Sequence, residues 1–379
     1  FLQTIIQVGS QIRNTCQKWS FTLVEDYYFI AMTTPDPSEA PLISRHHIQS
    51  WGYPVAVLFV LASWVILVIQ LSDWASVLAQ WRVSLTMVFG SFVAGATSEG
   101  GGAVAFPVFT KVLGIPSADA RIFSLMIQSI GMTMAGLVIW LRRIPVSWPV
   151  IQFGLIGGML GFSLGSLALA IPDPFPKWLF TFVTAIFGIF LVWNRWGSPH
   201  ARRQELVQLS SKQRLQVIIA GVLGGAITST VGVGIDMVVF IYLTLRIGLD
   251  EKVSTPTTVV LMGLLSVFGF GWHLLAGTIE PQVVNYWLSA VPVVIFGAPL
   301  GAWVCSKLKR DQLLGFLLSL IALEVVSTFI LLPLTSSIGV ALGGAFIVCV
   351  GLFSLLIRWR DKEDQTMASK GRQKSQPLQ

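Results

Sequence analysis

The chain has 379 residues, of which 54% are hydrophobic and only 11% are charged. A soluble domain carries roughly 25% charged residues; this chain has too few to coat a soluble fold, and its apolar excess also excludes disorder. The 25 Lys and Arg against 18 Asp and Glu give a formal charge of +7, but the basic residues are scattered between apolar runs, a pattern of membrane loops and not of a nucleic-acid face.

The remaining class is an all-α, multi-pass integral membrane protein, with about 20 apolar residues per span. Residues 1–50 are mixed polar and hold no apolar core of signal-peptide length, so they read as an N-terminal extramembrane region. The chain starts at Phe1, which reads as processed or partial. Charge-free apolar runs at Val55–Leu71, Ile122–Leu141, Trp148–Ile171, Trp178–Asn194, Pro256–Leu275, Val283–Cys305, Leu313–Leu332 and Ser336–Ile357 predict ordinary spans. Trp51, Trp74, Trp140, Trp148, Trp178, Trp193, Trp272 and Trp287 sit near their ends, at headgroup level, where indoles prefer to lie.

Two regions differ. Val83–Val112 is interrupted by Ser98-Glu99-Gly100-Gly101-Gly102, and Leu215–Leu245 by the stretch Thr228 to Gly234. As single helices of about 30 residues they would be ~45 Å long, more than the ~30 Å hydrocarbon core. Glycine clusters break helices, so each region reads as two half-helices joined at a tip. If both are hairpins and the basic tail is inside, only Arg82, Lys111, Arg121 and Lys177 of the 25 Lys and Arg fall outside. Breaks that simply cross leave more outside, so the positive-inside rule favours hairpins inserted from opposite faces.

A displacement of 134 residues sets Gly90 on Gly224, Gly100 on Gly234, Val104 on Val238, Phe106 on Phe240, Thr110 on Thr244 and Gly114 on Gly248. The apolar runs align at the same offset. The expected unit is a broken hairpin plus three spans, twice, in inverted orientation, with one extra helix at each end. The domains are then the extramembrane region 1–50, the first helix and loop 51–82, repeat one 83–195, a basic cytoplasmic loop 196–214, repeat two 215–332, the last helix 333–358 and a basic tail 359–379. Inverted repeats with matching discontinuous helices are the pattern of secondary transporters.

The run Ser98-Glu99-Gly100-Gly101-Gly102-Ala103-Val104-Ala105-Phe106-Pro107, followed by Gly114-Ile115-Pro116 and Ala120, resembles the first motif of the TauE/SafE sulfite exporter family. Gly224-Gly225 through Gly232-Val233-Gly234 to Gly248-Leu249 is similar to its second motif. Glu99, Asp236 and Ile241 depart from that pattern, standing where small or apolar residues, a glycine and a second proline are usual. The resemblance extends from about Val83 to Ile357. It implies a carrier of sulfite or related organosulfur anions.

Helix N-termini offer unpaired N–H groups and about half a positive charge, which suits an oxyanion. The candidate substrate residues are Ser98, Gly100, Gly101, Gly102, Thr228, Ser229, Gly232 and Gly234, with Thr97 and Thr230 as further hydroxyls. The competing reading gives the glycines to tight packing and the hydroxyls to local backbone. Glu99, Asp236 and Glu324 are acids at membrane depth, where ionisable groups often relay protons; Glu99 and Asp236 could instead cap half-helices. Arg121, Gln128 and His273 are weaker candidates: an interfacial anchor or anion attractor, a pathway or helix-bridging amide, and an interfacial histidine. No catalytic residue, metal motif or cofactor is expected, and Cys16, Cys305 and Cys349 form no pattern. The expected partners are a small anion and the lipid bilayer, with no nucleic acid; self-association and the identity of the membrane stay open. A passive anion channel is the main alternative.

Overall fold

The computed structural model describes residues 42–354 apart from 169–170, 197–207, 309, 337, 348, 350 and 352–353. The expected extramembrane region up to residue 41, most of the 196–214 loop and the 359–379 tail lie outside the described residues. The chain divides into two compact units, 1–51 and 52–379, and apart from residues 42–51 everything that follows lies in the second.

All regular elements among the described residues are helical. They are α1 (Leu42–Leu71), α2 (Trp74–Ala79), α3 (Trp81–Ala96), α4 (Gly102–Pro107), α5 (Ser117–Leu141), α6 (Trp148–Ala168) and α7 (Phe175–Trp196). Then come α8 (Ser211–Val231), α9 (Ile235–Tyr242), α10 (Glu251–Ala276), α11 (Pro281–Lys307) and α12 (Arg310–Leu331). A shorter apolar helix, α13, covers Ile338–Ile347; the rest of the expected span Ser336–Ile357 falls mostly outside the described residues. Turns of π-helix at Val108–Val112 and Leu243–Ile247 follow α4 and α9. Among the described residues eight helices are long and apolar enough to cross a membrane. One of them is α8, read from sequence as half of a broken region, and the apolar part of α1 begins at Gly52.

Local chemistry sets these bounds. A capping box starts α8: Gln213 N–H donates to Ser210 Oγ at 3.3 Å and Ser210 N–H to Gln213 Oε1 at 2.9 Å. Asp250 caps α10 by accepting from Lys252 N–H at 2.9 Å, and Gly277 closes that helix in the left-handed region at φ 66°. Pro281 opens α11 at a position where its missing N–H is harmless.

Side-chain registers give the helix directions. Ser84 Oγ donates to the Ser289 carbonyl at 2.8 Å, and Ser91 packs on Gly297, so α3 runs parallel to α11. Trp287 Nε1 donates to the Met126 carbonyl at 3.1 Å and Val294 meets Gly131, so α11 runs parallel to α5. Hence α3 and α5 point the same way, and the segment between them must turn back. In the second half Val217 meets Gly154 and Ser229 meets Gly165, making α8 parallel to α6; Leu261 meets Gly154 and Leu265 meets Gly158, making α6 parallel to α10. So α8 and α10 also share a direction, with α9 returning between them. Leu125 lies on Gly269 and Val260 on Gly136, so α5 and α10 are antiparallel. The two hairpins therefore enter the bundle from opposite ends, as the charge pattern predicts.

Burial ranks the helices. In its most apolar stretch α5 is 78% buried and α1 only 11%, so α5 is central and α1 peripheral. Glycines let the hairpin arms approach their partners closely. A Cβ on Gly157 would run into the Ile218 carbonyl, and one on Gly221 into the Gly154 carbonyl; Gly95 and Gly301 do the same between α3 and α11. Small residues at such crossings let backbones touch without lipid between them.

Gly221→Leu is expected to force α6 and α8 apart and to destabilise the fold by about 1–3 kcal/mol, the usual range for overpacking. Gly315→Leu, at a site with open space around it, is the control. Thermal unfolding in detergent checks this, and equal melting of the two variants would contradict the close-packing account.

Candidate functional site: the meeting of two hairpin tips

The first tip begins where α3 ends. Thr97 gives both its N–H and its Oγ1 to the Val93 carbonyl, at 3.0 and 2.9 Å. Glu99 N–H donates to Thr97 Oγ1 at 3.3 Å. Gly100 then turns the chain at φ +70°, a region open to glycine without strain. Gly101 caps α4, its carbonyl accepting from Val104 and Ala105 N–H at 3.3 and 3.0 Å. The N–H groups of Gly100, Gly101 and Gly102 have no hydrogen-bond acceptor among the described residues.

The second tip is shorter than the sequence reading made it. The break was expected over residues 228–234, but α8 continues through Val231 and only Gly232, Val233 and Gly234 are irregular. The hydroxyls bond within that helix. Thr228 Oγ1 donates to the Gly224 carbonyl at 2.8 Å, Ser229 Oγ to Ala226 at 2.7 Å and Thr230 Oγ1 to Ala226 at 3.2 Å, so all three back-bond within the helix. Gly232 ends it at φ +85°, its N–H on the Thr228 carbonyl at 2.8 Å. Thr228 Oγ1 also accepts from Ile235 N–H at 3.1 Å. Asp236 Oδ1 accepts from Gly234 and Met237 N–H at 3.1 and 3.0 Å. The N–H groups of Gly232, Gly234, Ile235 and Met237 are thus taken internally, and Asp236 acts as the cap.

The tips touch. Val233 packs beside Gly100 and fills the space at Gly102, where a Cβ would collide with it. From α5, Gln128 Nε2 donates to the Gly232 carbonyl at 3.0 Å and to Ser124 at 2.9 Å. Glu99 and Asp236 are 1% and 0% exposed. Ser98, Gly100, Gly101, Gly102, Gly232 and Gly234 are all at the tips, while Thr228 and Ser229 stand one helical turn back. Gln128 binds the second tip directly. His273 is buried, with Nδ1 2.8 Å from Thr278 Oγ1, and Arg121 donates to the Ser229 carbonyl at 2.9 Å.

Glu324 belongs to a second polar cluster. Its Oε1 is 2.6 Å from Lys111 Nζ and accepts from Thr181 Oγ1 at 2.7 Å; Lys111 also donates to Thr328 Oγ1 at 2.6 Å. Both charged side chains are almost fully buried. The cluster ties the end of the first hairpin to α7 and α12. Sequence reasoning treated Lys111 as a loop charge; its place inside an apolar run was the available signal. No sequence signal singles out Val233.

A cavity of about 360 Å³ lies at the end of the bundle where α5 and α11 finish and α10 starts. Asp250, Lys252, Thr255, Ala302 and Cys305 line it, and it reaches Gly95, two residues before Thr97.

A family model described as sulfite exporter TauE/SafE matches residues 83–328, from within α3 to within α12, so the match takes in both hairpins. No curated protein and no solved structure matches the chain.

Glu324→Leu should leave Lys111 buried without its counter-charge and destabilise the fold by about 3–5 kcal/mol. The double variant Lys111→Met with Glu324→Leu should regain most of that in thermal unfolding. A double variant no better than the single one would contradict the pairing.

Proposed function

From the premise that the chain belongs to the sulfite exporter TauE/SafE family of membrane transporters, we propose that it carries small oxyanions, sulfite or related organosulfur anions, by a secondary, proton-coupled mechanism. The observation that carries the proposal is the meeting of two oppositely directed hairpins inside the bundle. The N–H groups of Gly100, Gly101 and Gly102, at the start of a half-helix, are donors suited to an oxyanion, and glycine permits close approach. Ser98 and the second-tip residues Gly232 and Gly234 belong to the same junction, with Thr228 and Ser229 supporting the second tip from within α8. Glu99, Asp236 and Glu324 are the acids available to carry a coupling proton.

The helix pairs support an inverted-topology repeat. At the 134-residue offset α3 with α11 corresponds to α8 with α6, and α5 with α11 to α10 with α6, each pair running parallel. Thr110 and Thr244 occupy equivalent places in the two π-turns, donating to the Phe106 and Phe240 carbonyls at 2.8 and 2.7 Å. The same offset carries the cavity residues Gly95, Ile139, Ile144 and Thr255 onto Ser229, His273, Thr278 and, in reverse, Arg121. There Arg121 bridges to the Ser229 carbonyl and His273 pairs with Thr278. Access on one side with a bridge on the other is what alternating access requires, and it favours a carrier over a passive channel. Arg142, Arg143, Lys252 and Lys307 lie at the open end, which makes that end cytoplasmic by the positive-inside rule.

Purified protein in liposomes is expected to take up radiolabelled sulfite, sulfate or methanesulfonate, faster when the same anion is inside. Gly101→Leu, which crowds the first-tip amides, should reduce uptake to the protein-free level while inserting and eluting as wild type does. Undiminished uptake by Gly101→Leu would contradict the site, and large currents without stimulation by internal anion would favour the channel.

A further inference from the structure

Where the hairpins meet, the side-chain atoms left without a hydrogen-bond partner include Asp236 Oδ2, Gln128 Oε1 and Glu99 Oε1. All three are acceptors when the acids are ionised. The Gln128 amide cannot be turned to offer its nitrogen instead, because Nε2 is held by two carbonyls, Ser124 at 2.9 Å and Gly232 at 3.0 Å; a flipped amide would set oxygen against oxygen at both. Asp236 is fixed as well, since Oδ1 receives the N–H groups of Gly234 and Met237, which leaves Oδ2 as its free atom. A Cβ placed on Gly100 would stand 2.8 Å from Asp236 Oδ2 and 2.9 Å from Gln128 Oε1. The two oxygens therefore converge on one face of Gly100, and Asp236 and Gln128 are only 0% and 2% exposed.

A buried acceptor without a donor is costly, and a buried carboxylate more so. A proton on the carboxylate relieves both oxygens together, its O–H then donating to the amide oxygen. A metal cation would need about six oxygen ligands, more than the unpartnered oxygens gathered here. We propose that Asp236 Oδ2 is the atom that binds the coupling proton, with Gln128 Oε1 as the positioning acceptor that receives its hydrogen bond. The proposal rests on the carrier reading above and names the coupling ion and its atom.

Asp236 is the acid at the junction whose unpartnered oxygen faces the same glycine as the amide acceptor. Glu99 is the acid that the first tip brings to the junction, buried and with Oε1 unpartnered. On α5, Arg121 is engaged with Ser229; on α10, His273 is engaged with Thr278, and Glu251 and Lys252 stand at the start of that helix. Lys177 and Arg195 lie at the two ends of α7, and Lys212 and Arg214 at the start of α8. On α9 itself Tyr242 Oη donates to Gln216 Oε1 at 3.0 Å. None of these donates a hydrogen bond to Asp236 Oδ2. Loading converts one carboxylate to one neutral acid and removes a negative charge beside the first-tip amides; release restores the charge there. An anion and a proton are thereby admitted together.

The test uses the full chain in liposomes with radiolabelled sulfite, sulfate and methanesulfonate. In Asp236→Asn, Oδ1 can still accept from Gly234 and Met237 while Nδ2 donates to Gln128 Oε1, so the variant imitates the proton-loaded state. Wild type should accumulate anion when a pH gradient is imposed. Asp236→Asn should lose that accumulation entirely while keeping anion-for-anion exchange, now independent of pH. Gradient-driven accumulation by Asp236→Asn overturns the proposal. So does loss of exchange in a variant that elutes and melts like wild type, because the neutral form is the loaded one. Wild-type exchange that ignores the pH gradient, or follows a sodium gradient, overturns the proton site and leaves the carrier reading standing. Absence of any anion movement by wild type overturns both.

Discussion

Irregular backbone at membrane depth is tolerated only where it is buried in protein or lines a cavity, and this architecture meets that constraint by setting two chain breaks against each other. Val233 fills the hollow left by Gly100 and Gly102, and Gln128 reaches from the central helix α5 to the Gly232 carbonyl. Neither tip could sit at this depth facing lipid. The close glycine crossings of α3 with α11 and α8 with α6 follow from the same constraint. Each hairpin is held by a helix of the other half, so the halves cannot separate without exposing a tip.

The two tips solve the constraint differently. The second satisfies itself: Asp236 and Thr228 take the N–H groups of Gly234, Ile235 and Met237. The first has three glycine amides without a protein acceptor, beside a buried Glu99. Donors on one side and carboxylates on the other give a junction whose preference for an anion depends on the charge of its acids. In the proposed cycle that dependence is the coupling. The Lys111–Glu324 pair stands apart, as an ionic tie between the first hairpin and the α7–α12 layer. At the 134-residue offset Lys111 and Glu324 correspond to Leu245 and Phe190, two apolar residues, so the ion pair is not repeated there.

Much of the fold was legible in the sequence because a bilayer narrows the choices. Apolar runs gave most spans, glycine clusters gave both breaks, and the distribution of Lys and Arg gave hairpins in place of crossings. The errors came from reading residue type without hydrogen-bond partners. Thr228, Ser229 and Thr230 looked like part of a polar tip, yet they lie within α8, their hydroxyls returning to carbonyls of the preceding turn. Asp236 was visible as an acid near a half-helix start, but that one of its oxygens caps while the other stays free depends on distances. Lys111 passed for a loop charge because its partner is more than 200 residues away in sequence, at Glu324.

The central claim is that the two hairpins insert from opposite faces. Ala118 and Lys252 are both exposed second residues of the helices that follow the hairpins, and they correspond at the 134-residue offset. In a background where Cys16, Cys305 and Cys349 are replaced by serine, Ala118→Cys and Lys252→Cys should each react with a membrane-impermeant thiol reagent from one face of oriented vesicles only, and from opposite faces. Labelling of both positions from the same face would contradict the account.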